Sequence, residues 1–198
     1  MSQKLILVDL DGTLIRKDSL KMFLWFIHPI LDYLQRFAAS LPVLIGWKLG
    51  KVDDGKAKES LLITFLKGKT QNEIEHSALI FSRDVLPKTL RKRFLDYLNQ
   101  EKSSGARVLI VSASPDIYVS KFAEWLGFES IATKLDLTSK ALGSFSSRNC
   151  KGEEKANRIK DYLNLGDYSI IEAYGDSTSD LPMIKLANQK GFTDSSFL

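Results

Sequence analysis

Lys4-Leu5-Ile6-Leu7-Val8-Asp9-Leu10-Asp11-Gly12-Thr13-Leu14 is the stretch from which the rest of this 198-residue chain can be read. Its apolar, β-favouring run predicts a strand buried on both faces, as in a parallel sheet. The run stops at two carboxylates that flank one leucine. Alternation along a strand puts Asp9 and Asp11 on the same side, at the strand's carboxyl end. In open α/β sheets that end is where ligands bind. Two like charges so close need a counter-cation or a shared proton. Mg2+, a hard ion that takes oxygen ligands and keeps several waters, suits the pair. Taken alone, Asp-Leu-Asp-Gly reads equally well as a hairpin turn.

Three downstream stretches decide against the hairpin. Val111-Ser112-Ala113-Ser114 follows a second apolar run, Arg107 to Val111. Lys151 and Lys155 open a helical stretch, and Tyr174-Gly175-Asp176-Ser177-Thr178-Ser179-Asp180 ends a further strand pattern. In this order and across essentially the whole chain, the four stretches resemble the signature motifs of the haloacid dehalogenase (HAD) superfamily of phosphohydrolases. The layout is closest to its phosphoserine-phosphatase-like branch.

Strand patterns near 107–112, 130–137 and 169–174 alternate with helical ones, which predicts a parallel sheet with right-handed crossovers. The expected fold is a Rossmann-like α/β core, residues 1–16 and 86–198, closed by an edge strand near Gly191-Phe192-Thr193. Residues 17–85 read as an all-helical insertion, where the resembled branch carries a cap over its active site. Asp18-Ser19 suit a helix N-cap and Thr70-Gln71-Asn72-Glu73 a capping box. Asp53-Asp54-Gly55 reads as a turn, and Pro87 to Glu101 as one basic amphipathic helix.

The most apolar region, Met22 to Leu49, is interrupted by Asp32, Gln35 and Arg36, and Pro29 and Pro42 are expected to break its helical continuity. It therefore lacks the ~20 consecutive apolar residues of a bilayer span. Trp25, Phe26 and Trp47 suit a membrane interface or a substrate pocket. The opening residues lack the pattern of a secretory signal, which predicts a cytoplasmic protein, in reach of the inner face of a membrane. A net charge of +4, with scattered lysines, does not indicate nucleic-acid binding. One cysteine, Cys150, excludes an internal disulfide and a multi-cysteine zinc site. His28 and His76 form no catalytic pattern. Neither composition nor pattern speaks to oligomeric state.

The resemblance implies roles. Asp9 is the nucleophile that forms an aspartyl-phosphate, and Asp11 the acid that protonates the leaving oxygen and then activates water. Mg2+ is held by Asp9, the main-chain carbonyl of Asp11 and Asp176. Ser112 and a lysine bind phosphate. Lys155 fits the Gly-x-x-Lys arrangement of phospholipid-oriented relatives, whereas Lys151 fits the phosphoserine relatives better. Thr13 braces the loop, and Asp180 touches the metal through water or orients a lysine. The partner is a phosphorylated small molecule or a lipid. Phosphoserine enzymes hold their amino acid with an acidic residue, a position Asp18 could fill, and a cap arginine. No arginine occurs from Phe37 to Ser82. The apolar, tryptophan-bearing insertion instead resembles the subgroup containing a bacterial phosphatidylglycerophosphate phosphatase. A phosphotransferase using the same intermediate, and a non-catalytic binding module, are the other two classes.

Overall fold

The structure, a computed structural model, describes residues 3–138 and 142–192. Five strands form one parallel sheet: β1 Gln3–Val8, β2 Arg107–Pro115, β3 Glu129–Thr133, β4 Tyr168–Tyr174 and β5 Lys190–Phe192. Their spatial order is β3-β2-β1-β4-β5. Leu5 lies opposite Arg107 on one side and Ile171 on the other, so β1 is central. Order reverses between β1 and β4, and the carboxyl ends of these two strands border the crevice such sheets use for ligands. Thr193, expected in the edge strand, lies outside the described residues.

The double-sided burial read from the sequence is met on both faces. Ile6 and Val8 of β1 join Val108 and Ile110 in a core closed by α5 Lys92–Ser103 and α6 Asp116–Leu126. Leu5 and Leu7 join Leu109 and Val111 in a second core, under α7 Glu153–Tyr162 and the short α8 Leu181–Ile184.

Between β1 and β2 the chain makes α1 Ser19–Phe26, α2 Ile30–Lys48, α3 Asp54–Leu66 and α4 Gln71–Ile80, then a π-turn over Phe81–Val85. Their interior is not separate from the main core: Phe23, Phe65, Ile74 and Phe81 share a cluster with Val108 and Tyr118. Rings of Phe23 and Phe81 each sit 5.0–5.2 Å from Tyr118. The capping box at Thr70 is present, with Thr70 Oγ1 accepting from Glu73 N and the Glu73 carboxylate accepting from Thr70 N.

Three local expectations are corrected. Pro42 does not break the helix: α2 runs through it for 19 residues. Ala38 and Pro42 are both exposed, so the carbonyl that loses its partner at Pro42 faces water, which satisfies it. Pro29 sits at the N-cap of α2, where a missing N–H is tolerated. Among the described residues no helix is long and apolar enough to cross a membrane. Asp53-Asp54-Gly55 is not a turn but the start of α3, with Asp53 accepting from Gly55 N and Lys56 N. Pro87–Glu101 is not one helix. A 3-10 turn over Leu86–Thr89 gives way to extended Leu90, which pairs antiparallel with Ile15 before α5 begins. Arg16 N donates to Thr89 O and Arg91 N to Leu14 O, both at 3.0 Å. The two chain connections between the sheet and the helical insertion thus run side by side.

Candidate active site

Asp9 follows the last residue of β1, and its amide donates to Tyr174 O at 2.8 Å. The side chain is buried. Its Oδ1 accepts from Lys155 Nζ at 2.5 Å and its Oδ2 from Thr13 Oγ1 at 3.2 Å. Lys155, in the first turn of α7, is only 2% exposed and also donates to Asp180 Oδ1 at 2.6 Å. The lysine therefore bridges two carboxylates that would otherwise repel. Burial pushes the Asp9 carboxyl up to about 7 against the pull of Lys155. Burial alone would lower Lys155, but Asp9 and Asp180 outweigh it and hold the ammonium above its ordinary value.

Asp180 is fixed from its other oxygen, which accepts from Ser177 N at 3.1 Å and Ser177 Oγ at 2.8 Å. Its first oxygen thus contacts the Lys155 ammonium. Asp9, Asp176 and Asp180 offer carboxylate oxygens that all lie within 4.8 Å of one another. The set is all hard oxygen, the chemistry Mg2+ prefers. Gly12 adds a second sign of a built site. Its φ is +82°, and a Cβ there would lie 1.9 Å from Asp176 Oδ2. Only a glycine lets the loop backbone approach that carboxylate so closely. These residues fit a divalent cation.

Asp11 is held differently. Its Oδ1 accepts from Ser19 N at 2.5 Å and its Oδ2 from Ser114 Oγ at 2.6 Å. Burial raises its pKa, and those two hydrogen bonds oppose the rise. Ser19 and Ser114 also bond each other at 3.0 Å, which ties the first helix of the insertion to the carboxyl end of β2. Sequence context marked Ser19 only as a helix-cap candidate and Ser114 only as part of the Val111–Ser114 stretch. Ser112 itself is fully buried, and its Oγ accepts from Ser114 N at 3.0 Å.

Asp9, Asp11, Lys155, Asp176 and Asp180 floor a cavity of about 370 Å³, and Ser112 is not among the residues that line it. Ala113 and Ser114, at the end of β2, line it together with Asp176, Ser177 and Ser179. The insertion contributes an apolar group, Leu20, Leu44, Trp47, Ala57 and Leu61, and the charged Asp18, Lys21, Asp54 and Lys58. Asp18 reaches the cavity and also caps α1, accepting from Lys21 N at 3.0 Å. Lys151 stands at the rim, 42% exposed, with its Nζ 3.0 Å from Asp54 of α3. Of the two motif lysines, then, Lys155 meets the nucleophile position and Lys151 meets the insertion. Lys58, which sequence reading passed over, projects from α3 into the cavity and donates to Ala113 O at 3.1 Å. Burial lowers its pKa. Among lysines on an amphipathic helix nothing in the sequence marks this one. Cys150 is buried, with its thiol pushed up to about 11 by burial. His28 is packed between Asp32 and the Phe65 carbonyl, and His76 is exposed.

Residues 6–185 match the family model described as haloacid dehalogenase-like hydrolase. Protein CicA of Caulobacter vibrioides is 33% identical over 192 residues, covering 95% of this chain and 85% of that protein. Among solved structures, a protein of unknown function from Bordetella pertussis Tohama I superposes with a TM-score of 0.80 at 21% identity, over 96% of this chain and 89% of that one. A substrate-bound phosphoserine phosphatase superposes with a TM-score of 0.65 at 21% identity, over 96% and 85%. At such identities the superpositions speak to fold.

Proposed function

Because the chain belongs to the haloacid dehalogenase-like hydrolases, we propose that it is a Mg2+-dependent phosphomonoester hydrolase working through an aspartyl-phosphate on Asp9. The observation that carries this reading is the pairing of Asp9 with Lys155 on the cavity floor, with Asp11 beside it held through both oxygens. Lys155 opposes the burial that raises the Asp9 pKa, and it aims the carboxylate. An Asp9 oxygen attacks phosphorus, the bond from phosphorus to the ester oxygen breaks, and Asp11 delivers its proton to the departing alkoxide. Water then attacks phosphorus and gives a proton to Asp11. The bond to Asp9 breaks, and inorganic phosphate leaves. Lys155 binds the phosphoryl oxygens, and Ser112, buried against the Ser114 amide, is the second candidate for them. Bound at Asp9, Asp176 and the Asp11 carbonyl, Mg2+ would supply positive charge against the anionic ester, with Asp180 as the lysine's anchor.

The cap, residues 17–85, selects the ester. The apolar wall of Leu44, Trp47 and Leu61 favours an amphiphilic alcohol such as the phospholipid head group of phosphatidylglycerophosphate. A second reading, a small polar monoester of the phosphoserine kind, is favoured by Asp18 and Lys58, which bring opposite charges to the same cavity. Likeness in fold to phosphoserine phosphatases fits that reading at least as well.

The test is phosphate release from a panel: phosphatidylglycerophosphate in detergent, phosphoserine, sugar phosphates, nucleotides and an aryl phosphate. Turnover that requires Mg2+ and disappears in Asp9→Asn is the expected result. Turnover that survives Asp9→Asn removes the covalent mechanism. Phosphate transferred to an added alcohol instead of water makes the enzyme a phosphotransferase, and no turnover of any ester with Mg2+ demonstrably bound favours a binding role.

A further inference from the structure

Of the 19 residues of α2, only Ser40 is buried. The side facing α3 is occupied: Arg36 bonds Asp32 and the carbonyls of Thr64 and Lys67, and Tyr33 packs on Phe65. What remains outward is apolar. Ile30, Leu34, Phe37, Leu41 and Ile45 recur every three or four residues and so share one face, and all are exposed. Leu31 beside them is 72% exposed and Trp25, on α1, 52%. Single exposed leucines need no explanation, but a contiguous apolar face does. Between Trp25 and Trp47 the charged side chains are Asp32 and Arg36, 38% and 22% exposed, and they pair with each other at 2.9 Å.

Charge gathers at the margins and is mainly basic, with Lys21 paired to Asp18 at 3.1 Å and also lining the cavity. Lys21 lies one turn before Trp25 on α1, and Lys48 and Lys51 follow Ile45. From Arg16 to Lys51 there are six lysines and arginines against two aspartates. That excess equals the +4 of the whole chain, so the remainder is neutral overall.

We propose that the outer face of α1 and α2 docks on an anionic lipid surface. Its apolar side chains enter the headgroup–acyl boundary, the exposed tryptophans sit at that boundary, and the marginal lysines meet lipid phosphates. A second copy of the chain fits less well, since a two-fold contact would set a basic margin against itself. The face is continuous with the cavity, because Leu44 and Trp47 of the same helix line it. The docking surface does not depend on which ester is cleaved. Only its delivery of a lipid ester to the cavity rests on the proposed function.

Flotation of the full-length protein with phosphatidylcholine vesicles, with and without phosphatidylglycerol, tests this at low and high salt. We expect binding to the anionic vesicles only, weakened by salt. Leu34→Gln/Leu41→Gln should weaken it about tenfold or more, and Lys48→Gln/Lys51→Gln about fivefold for each lysine. Far-UV circular dichroism and turnover of a soluble aryl phosphate should be unchanged in both variants. Wild-type protein that ignores anionic vesicles overturns the proposal, as does binding that survives Leu34→Gln/Leu41→Gln. A dimer in sedimentation velocity that the leucine variant splits, without vesicle binding, assigns the face to a second copy. Absent aryl-phosphate turnover in the wild type would count against the proposed chemistry and leave the flotation result standing.

Discussion

At the scale of single residues, the site is a balance of buried charge centred on Lys155. It stands between Asp9 and Asp180, each at hydrogen-bond distance and nearly free of solvent. A buried pair contributes little net stability, but removing one partner leaves the others uncompensated. Lys155→Ala should therefore destabilise the metal-free protein by about 3–5 kcal/mol and lower kcat by roughly 10²–10³-fold. Thermal denaturation without metal and steady-state rates check the two effects. A variant as stable as wild type would mean that Asp9 and Asp180 are not both ionised here. Gly12 makes a different prediction. A methyl group there collides with Asp176 at a φ of +82°, so Gly12→Ala should weaken Mg2+ binding more than it weakens the fold. Isothermal titration with Mg2+ against the melting temperature separates these. Equal Mg2+ affinity in the variant would exclude Asp176 from the metal site.

At the scale of elements, the insertion shares its apolar core with the sheet, and α3 adds polar contacts at the cavity rim. Asp54 at the start of α3 meets Lys151 at 3.0 Å, Lys58 reaches Ala113 O, and Glu59 accepts from Phe145 N at 2.6 Å. The Asp54–Lys151 pair is half exposed and contributes at most about 1 kcal/mol to stability. Its place at the cavity mouth matters more. Asp54→Ala should leave the melting temperature nearly unchanged while raising KM severalfold at similar kcat. An unchanged KM would show that the pair does not hold the cavity closed. The elements also show what sequence could tell. β1 and β2 were legible because strands buried on both faces must be continuously apolar, and Asp9, Asp11, Ser112 and Asp176 because they stand where such runs end. Lys155 was legible only as one of two lysines, with Lys151, that the family resemblance offered. The path of α2 through Pro42 was not legible, because the cost of a proline depends on whether the freed carbonyl meets water. The interruption at Leu90 was hidden too. Pro87 to Glu101 has a helical pattern throughout, and only the distant partner Ile15 makes Leu90 extended. Lys58 and Ser114 acquire meaning from neighbours 55 and 103 positions away. No local window contains that information.

At the scale of the molecule, charge is divided between the two ends of the sheet. Reactive carboxylates lie at the carboxyl end of β1. Lys4, five residues earlier and so about 16 Å away along the strand, belongs to a second cluster. Its Nζ is 2.7 Å from Glu101 and 3.0 Å from Glu172, and Glu172 also accepts from the hydroxyls of Tyr97 and Tyr174. This cluster lines no part of the cavity, so it acts on stability alone. Burial by itself would raise the Glu172 pKa, but the tyrosine hydroxyls and Lys4 outweigh it and hold the carboxyl below its ordinary 4.5. The unfolded chain then takes up this proton before the folded one does. The contribution is complete above about pH 4.5 and is lost as the pH falls towards the lowered folded-state value. Lys4 behaves in the opposite sense: burial opposes its charge, Glu101 and Glu172 outweigh burial, and its pKa is raised above 10.5. Its contribution is complete below about 10.5 and is lost as the pH rises through the folded-state value. Glu172→Gln should therefore lower the melting temperature at neutral pH, by an amount equivalent to about 1–3 kcal/mol, and shrink that difference as the pH falls below 4. Melting curves of both proteins across the acid range test the sign. A gap that widens with acid would mean that Glu172 is protonated in the native protein at neutral pH, with the cluster held by neutral hydrogen bonds.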